Sequence, residues 1–177
     1  MKNRWLIFAA IILAFTLASS GAYNGLVNSR EEALVKAEDI DLHIKEMSSL
    51  VKSSIDPVSI YAEYETDAMI DILEASDMLS KAKTMKEKAN ALGKVYAAVD
   101  NLELVSQNYP DLKADPNYIL ISDAIAERTK RLNVSKIDYN ATVGMYNDKV
   151  VTFPSSVFAN AMDMEEFEFF RAAEAVK

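Results

Sequence analysis

The sequence contains no cysteine, and only four glycine and four proline residues interrupt its 177 positions. Without cysteine the chain can form no disulfide and offers no thiolate for catalysis or metal binding. The scarcity of glycine and proline disfavours sandwiches, barrels and doubly wound α/β folds, which need many tight turns. Because half of the residues are apolar, the chain can still bury a core. The composition therefore predicts a few long helices.

Histidine is nearly absent too, since His43 is the only one. One imidazole leaves little for general acid–base catalysis or for binding a transition metal. A di-iron bundle needs two Glu-x-x-His pairs, but Ile40 stands three residues before His43. The spacing of the four glycines forms no phosphate-binding loop. We therefore expect no catalytic residue, no metal, no cofactor and no small-molecule substrate.

Basic residues are outnumbered, with 19 Lys and Arg against 27 Asp and Glu, which gives a formal charge of −8. Lys2 and Arg4 precede the first apolar segment, so the rest of the chain carries 17 basic residues against 27 acidic ones. Such a surface repels phosphate backbones, and no basic run interrupts it. Nucleic acid is therefore not an expected partner.

The long apolar run of the sequence follows directly after these two basic residues. Trp5–Ala18 carries no charge, and small residues continue to Ala22. A basic start, a short apolar stretch and small residues also describe a cleavable signal peptide. Alternatively, Trp5–Ala22 forms a helix of about 27 Å, which spans a hydrocarbon core as a signal anchor. The positive-inside rule then places the N-terminus in the cytoplasm and the remaining chain outside.

Capping signals and proline divide the chain after this run into helices. Asp56-Pro57 and Asp115-Pro116 each place an N-cap residue before proline, and Thr84-Met85-Lys86-Glu87 reads as a capping box. Tyr109-Pro110 and Phe153-Pro154 mark a loop and a stop. The predicted helices are approximately 24–54, 57–83, 85–107 and 116–152.

Apolar residues recur at steps of three and four in these helices. The fourth helix shows the pattern over its whole length, with Arg128, Ser135 and Thr142 filling the intervening places. Its predicted buried seam comprises Tyr118, Ile121, Ile125, Leu132, Tyr139, Tyr146 and Phe153. Such seams must be buried against other helices, and short loops join neighbours in antiparallel order. The sequence predicts an all-α fold in which an N-terminal transmembrane helix precedes an elongated, antiparallel, up-and-down four-helix bundle.

Several short motifs, in order between Tyr23 and Pro154, resemble those of the LemA family. They are Tyr23-Asn24-Gly25-Leu26-Val27, Arg30-Glu31-Glu32, Asp41, Tyr61-Ala62, Glu65, Tyr109-Pro110-Asp111-Leu112-Lys113-Ala114, Arg131, Tyr139-Asn140, Tyr146-Asn147 and Phe153-Pro154. The resemblance implies a membrane-anchored bacterial protein with a helical bundle, and it favours a retained anchor. It supplies no biochemical activity. The implied organisation is an anchor at 1–22, a bundle at 23–154 and a C-terminal tail at 155–177.

The up-and-down order predicts that the motifs at both ends of the bundle meet near the membrane. The residues concerned are Tyr23, Asn24, Tyr139, Asn140, Tyr146, Asn147 and Phe153. In one interpretation the tyrosine rings fill the core and the asparagine amides satisfy phenol hydroxyls or helix ends. In the other, these residues form a surface that binds a protein partner.

The tail after Pro154 combines six Phe and Met residues with five acidic ones. Leaving so many aromatic side chains in water is unfavourable. We expect the tail to pack on the bundle or on a second copy; docking to a partner or to lipid are the alternatives, and its acidity disfavours anionic lipid.

Two functional hypotheses follow from these features. In the first, the protein is an envelope interaction or scaffold module, held on the outer face of the inner membrane by a single-pass anchor. It binds a protein partner or copies of itself. In the second, it is a secreted or periplasmic hydrolase that uses bundle carboxylates such as Glu65, although a lone carboxylate there more often pairs with Arg30 or Arg128.

Overall fold

The computed structural model of the protein describes residues 2–61 and 66–171. For residues 2–4 and 6–18 the description is limited to the helical backbone. Within the described part of the chain every regular element is a helix, so the all-α prediction is confirmed. The elements are α1 (Lys2–Ser53), α2 (Ile55–Tyr61), α3 (Thr66–Lys81), α4 (Met85–Asn108), α5 (Pro110–Ala114), α6 (Pro116–Val151) and α7 (Ser155–Ala161).

The predicted capping residues start α4 and α6. The Thr84 hydroxyl accepts a hydrogen bond from the Glu87 amide at 3.1 Å, and the Glu87 carboxylate accepts one from the Thr84 amide at 3.1 Å. At α6, Asp115 Oδ1 accepts from the amides of Asn117 and Tyr118 at 2.8 and 3.1 Å. These side chains satisfy amides that a helix N-terminus otherwise leaves without partners.

Three boundaries differ from the sequence prediction. Helix α1 runs without a break from Lys2, whereas a separate helix starting near Asn24 was expected. The predicted loop at Pro110 is the short helix α5, because proline fits the first helical position and Asp111 occupies the first turn. The second predicted helix, 57–83, corresponds to α2 and α3, and residues 62–65 between them lie outside the described residues. Helix α2 begins at Ile55, so the predicted N-cap role of Asp56 is wrong and this residue lies in the first turn.

The fold divides into two compact units, one formed by residues 1–36 and 140–167, the other by residues 37–139 and 168–177. The first unit contains the N-terminal part of α1, the C-terminal part of α6, and α7. Its core consists of Leu26, Tyr146 and Ala159, against which four partly buried residues pack: Val150, Phe158, Met164 and Phe167.

The second unit is a bundle of the C-terminal part of α1, α3, α4 and the N-terminal part of α6, with the short helices α2 and α5. Polar contacts join its helices: Ser48 of α1 meets Ser76 of α3, Asn101 of α4 meets Asp71 of α3, and Arg128 of α6 meets Glu46 of α1. The largest fully buried aliphatic residues of this core are Ile40, Met47, Val51, Val58, Ile72, Leu79, Leu92, Val95, Leu112 and Leu132.

The predicted seam of α6 is buried except near its end. Tyr118, Ile125, Leu132, Tyr139 and Tyr146 are buried, and Ile121 is half-buried. Phe153 is 70% exposed, so its predicted place in the seam is wrong. The reason is that α6 ends at Val151, and the helical periodicity does not continue to Phe153.

Over the residues that the structure describes, no helix has both the length and the apolarity needed to cross a bilayer. The predicted anchor, residues 1–22, falls mostly on positions whose side chains lie outside the described residues.

Candidate functional site

Asn147 of α6 holds the peptide group of Phe167, a residue in the non-helical segment that follows α7. Its side-chain nitrogen donates to the Phe167 carbonyl at 2.9 Å, and its oxygen accepts from the Phe167 amide at 2.8 Å. An amide side chain can pair in this way with a backbone that has no helical partner. The side chain of the buried Asn147 thus binds the backbone of Phe167. This contact does not depend on which side chain residue 167 carries.

Tyr146, the neighbour of Asn147 on α6, contacts the same segment through its ring and its hydroxyl. Its hydroxyl donates to the Glu165 carbonyl at 2.9 Å. Its ring lies 4.7 Å from the Phe167 ring between centroids, at an interplanar angle of 33°. Such aromatic pairs contribute beyond the area that they bury. Tyr146 therefore fixes one carbonyl and the aromatic side chain of this segment.

Arg30 of α1 completes the environment of Phe167. Its guanidinium carbon lies 5.9 Å from the centroid of the Phe167 ring, within cation–π range. Burial raises the pKa of Tyr146, and the Arg30 guanidinium, which hydrogen-bonds the Tyr146 hydroxyl, opposes that rise. Arg30 therefore favours an electron-rich ring and acceptor oxygens at this position.

The turn after α7 directs the segment onto α6. Asp163 has φ of 50°, and aspartate adopts this left-handed conformation more readily than most residues. A cavity of about 470 Å³ lies beside the segment, lined by Arg30, Tyr146 and residues 162–167. We call the surface formed by Arg30, Tyr146 and Asn147 the strap site, and residues 164–167 the strap.

Tyr23 and Asn24 lie elsewhere in the first unit. The Tyr23 ring packs edge-on against Phe158 of α7, with centroids 5.8 Å apart. Both residues line a smaller cavity with Ser19, Ser20 and Phe158. Both residues therefore lie beside α7.

Of the other predicted site residues, Tyr139 lies in the second unit, and Asn140 and Phe153 in the first. Tyr139 is buried, and its hydroxyl donates to the Glu168 carbonyl at 2.7 Å. Asn140 is half-buried, and the exposed Phe153 is not part of the core around Tyr146. Tyr139 and Tyr146 thus lie in the core, as one interpretation predicted, and their hydroxyls bind the tail backbone, whereas Tyr23 is exposed.

Sequence reasoning missed Arg30 and Phe167 as site residues. The sequence indicates Arg30 only as part of one motif and as a partner for Glu65, and Phe167 is one of the six Phe and Met residues of the tail. Their contact depends on a turn at Asp163 and on which tail residue faces α6, and helical spacing carries no information about either.

The structure gives no support for a carboxylate hydrolase. Glu65 lies outside the described residues, and Arg128, proposed as its partner, binds Glu46 at 2.6 Å. Among the described side chains, no three His, Asp or Glu residues come together in a way that could hold a metal ion.

Comparison with known proteins shows which family the sequence resembles. The model of the LemA family matches residues 36–177. The chain is also similar to a protein named "Protein LemA" from Metamycoplasma hominis, with 23% identity over 170 residues. That alignment covers 96% of this chain and 78% of the relative.

Proposed function

Because the chain belongs to the LemA family, we propose that it is an anchored interaction protein of the cell envelope that assembles with a second copy of itself through the strap site. The single observation that carries this proposal is the pair of hydrogen bonds between Asn147 and the Phe167 peptide. These bonds, with the Phe167 ring on Tyr146 and Arg30, define an occupant: an extended segment with an aromatic residue flanked by carboxylates.

A second copy carries this occupant by necessity, since every chain contains Glu165, Glu166, Phe167 and Glu168. The strap seated on its own chain and the strap of a neighbour make the same contacts, so exchange costs no interaction. The fraction of straps exchanged between copies then depends on the local concentration of the protein. Confinement to a membrane raises that concentration. The non-helical backbone of the strap suits exchange, because no helix has to unfold when the strap leaves.

The anchor is the part of the proposal that supplies this confinement. Its support is the uncharged segment 5–22 behind Lys2 and Arg4, which favours a single-pass helix with a cytoplasmic N-terminus. The bundle then lies on the outer face of the membrane. No catalytic step, metal or cofactor enters this function.

Photo-crosslinking in intact cells tests the proposal. Benzoylphenylalanine at position 167 of the full chain is expected to give an adduct between two copies. The same probe at Val157, an exposed position on α7, is the matched control and is expected to give little adduct.

Asn147→Ala removes two hydrogen bonds of about 1 kcal/mol each from a seated strap, whether it belongs to the same chain or to a neighbour, which lowers seating relative to the free strap roughly 30-fold; the adduct should fall as straps leave the site. Adducts to another protein alone, lost in the same variant, would mean that the strap site takes a partner and would overturn assembly through a second copy. Adducts within one chain only would overturn it as well.

A further inference from the structure

A cavity in the second unit concentrates positive charge in a chain that is otherwise acidic. It has a volume of about 610 Å³ and lies among α1, the end of α3 and the start of α4. Its lining includes four lysines, Lys45, Lys52, Lys83 and Lys88, and one acid, Asp41. The lining charges of +4 and −1 leave +3, against −8 for the whole chain.

The carboxylate of Asp41 forms an ion pair with one of these lysines. Lys88 is only 9% exposed, and its ammonium forms an ion pair with the Asp41 carboxylate. A buried lysine needs such a partner to remain charged. This pair therefore fixes Lys88 in place and leaves the other three lysines without a neutralising acid in the lining.

The remaining lysines have no fixed partner in the described part of the chain. No ion pair is found there for the side chains of Lys45, Lys52 or Lys83. The carboxylate of Glu87 interacts with the charge of Lys83, and it accepts hydrogen bonds from the Lys83 and Thr84 amides at 2.8 and 3.1 Å. Because Glu87 is held by the cap of α4, it offsets the charge of Lys83 only in part.

The rest of the lining determines what kind of anion fits. Ile44, Leu79 and Ala82 give the cavity an apolar wall, and Ser49 adds an exposed hydroxyl. Its volume is in the range of small-molecule sites and exceeds what one inorganic ion fills. Lysine ammonium groups act as point charges for phosphate, and a positive recess in a negative surface attracts anions selectively.

We propose that this cavity binds a phosphorylated small molecule, with the phosphate oxygens on Lys45, Lys52 and Lys83 and the organic part against Ile44 and the half-buried Ala82. Lys88 and Asp41 form the rigid base of the site. The cavity is independent of the strap site, which has a different lining and lies in the first unit.

Calorimetric titration of the full chain in zwitterionic detergent with phenyl phosphate tests the proposal. We expect saturable binding that weakens as salt is added. Lys45→Gln and Lys52→Gln should each weaken it about three- to tenfold, since both side chains are exposed and removal of one charge does not disturb the core. Lys113→Gln, which removes one exposed lysine from α5 outside this cavity, is the matched control and should bind as the parent does.

Further arms separate the possible sources of the phosphate. Inorganic pyrophosphate carries more negative charge than phenyl phosphate but has no organic part to contact the apolar wall. Its affinity should therefore be lower than its charge alone predicts. If phosphatidylglycerol in mixed micelles displaces phenyl phosphate, a lipid headgroup is the phosphate that the site takes; no displacement assigns it to a free small molecule. Absence of binding, or equal binding by all three variants and the parent, would overturn the proposal.

Discussion

At the residue scale, the side chains of α6 that contact the tail bind mainly its peptide groups. Tyr146 and Asn147 bind the backbone of Glu165 and Phe167 in the first unit, and Tyr139 binds the backbone of Glu168 in the second. Backbone binding tolerates changes in the tail sequence, because every residue supplies a carbonyl. Selectivity is concentrated at Phe167, whose ring contacts Tyr146 and Arg30.

The titration of Tyr139 provides a prediction at this scale. Burial, together with the negative charges of Glu168 and Asp41, raises the pKa of Tyr139 to about 12. A phenol with an ordinary pKa near 10 in the unfolded chain then ionises first in that state. The contribution of Tyr139 to stability is therefore fully present below pH 10 and is lost as the pH rises toward 12.

Phenolate absorbance and denaturant unfolding at increasing pH check this expectation. Tyr139→Phe should remove one late-titrating phenol and flatten the loss of stability between pH 10 and 12. Tyr23→Phe is the control, since the Tyr23 side chain is exposed. If Tyr139 ionises together with the exposed tyrosines, the burial of its hydroxyl by the tail is wrong.

At the scale of the element, helix starts depend on a few short polar side chains. The capping box at Thr84 and Glu87 begins α4, and Asp115 begins α6. Asp115 also accepts a hydrogen bond from the Tyr61 hydroxyl of α2 at 3.0 Å, so one carboxylate caps one helix and contacts another. These contacts fix where each helix starts.

Thr84→Ala should therefore destabilise the protein by about 1 kcal/mol. Thr84→Ser, which keeps the hydroxyl, should unfold near the parent in denaturant. The backbone amides of Lys83 and Thr84 hold the pKa of Glu87 below its ordinary value. The contribution of Glu87 to the free energy of unfolding is present above its pKa in the unfolded chain. It is lost as the pH falls through the lower pKa of Glu87 in the folded protein. Unfolding midpoints that are equal for Ala and Ser would contradict the role of the cap.

At the scale of the whole molecule, the proposed arrangement on the membrane is open to a direct test. The positive charges of Lys2 and Arg4 precede the apolar run, so the bundle should lie outside the cytoplasm. Alkaline phosphatase fused after Lys177 should be active in cells, and a fluorescent reporter that folds only in the cytoplasm should stay dark. Reversing both charges, with Lys2→Glu and Arg4→Glu together, should weaken the preference for this orientation. An inactive phosphatase and a bright cytoplasmic reporter in the parent would refute the orientation.

The sequence by itself determined the helical class, the long helices and the two best-defined helix starts. These features depend on local interactions, because caps, proline and three-to-four spacing act within one or two turns. The LemA motifs likewise determined the family. The tail sequence also predicted that its aromatic residues would pack away from water, since exposing so many of them is unfavourable. In the structure Phe170 is buried, and Phe158, Phe167 and Phe169 are half-buried.

Only the tertiary structure decided what the polar residues of the motifs and the tail contact. The same spacing that correctly placed Tyr139 and Tyr146 in the core placed Phe153 there as well, because helical periodicity does not show where packing ends. The contact of Asn147 with Phe167, and the meeting of Lys45, Lys52 and Lys83 at one cavity, join residues far apart in the chain. Such contacts depend on turns and on helix packing, and therefore on the whole fold.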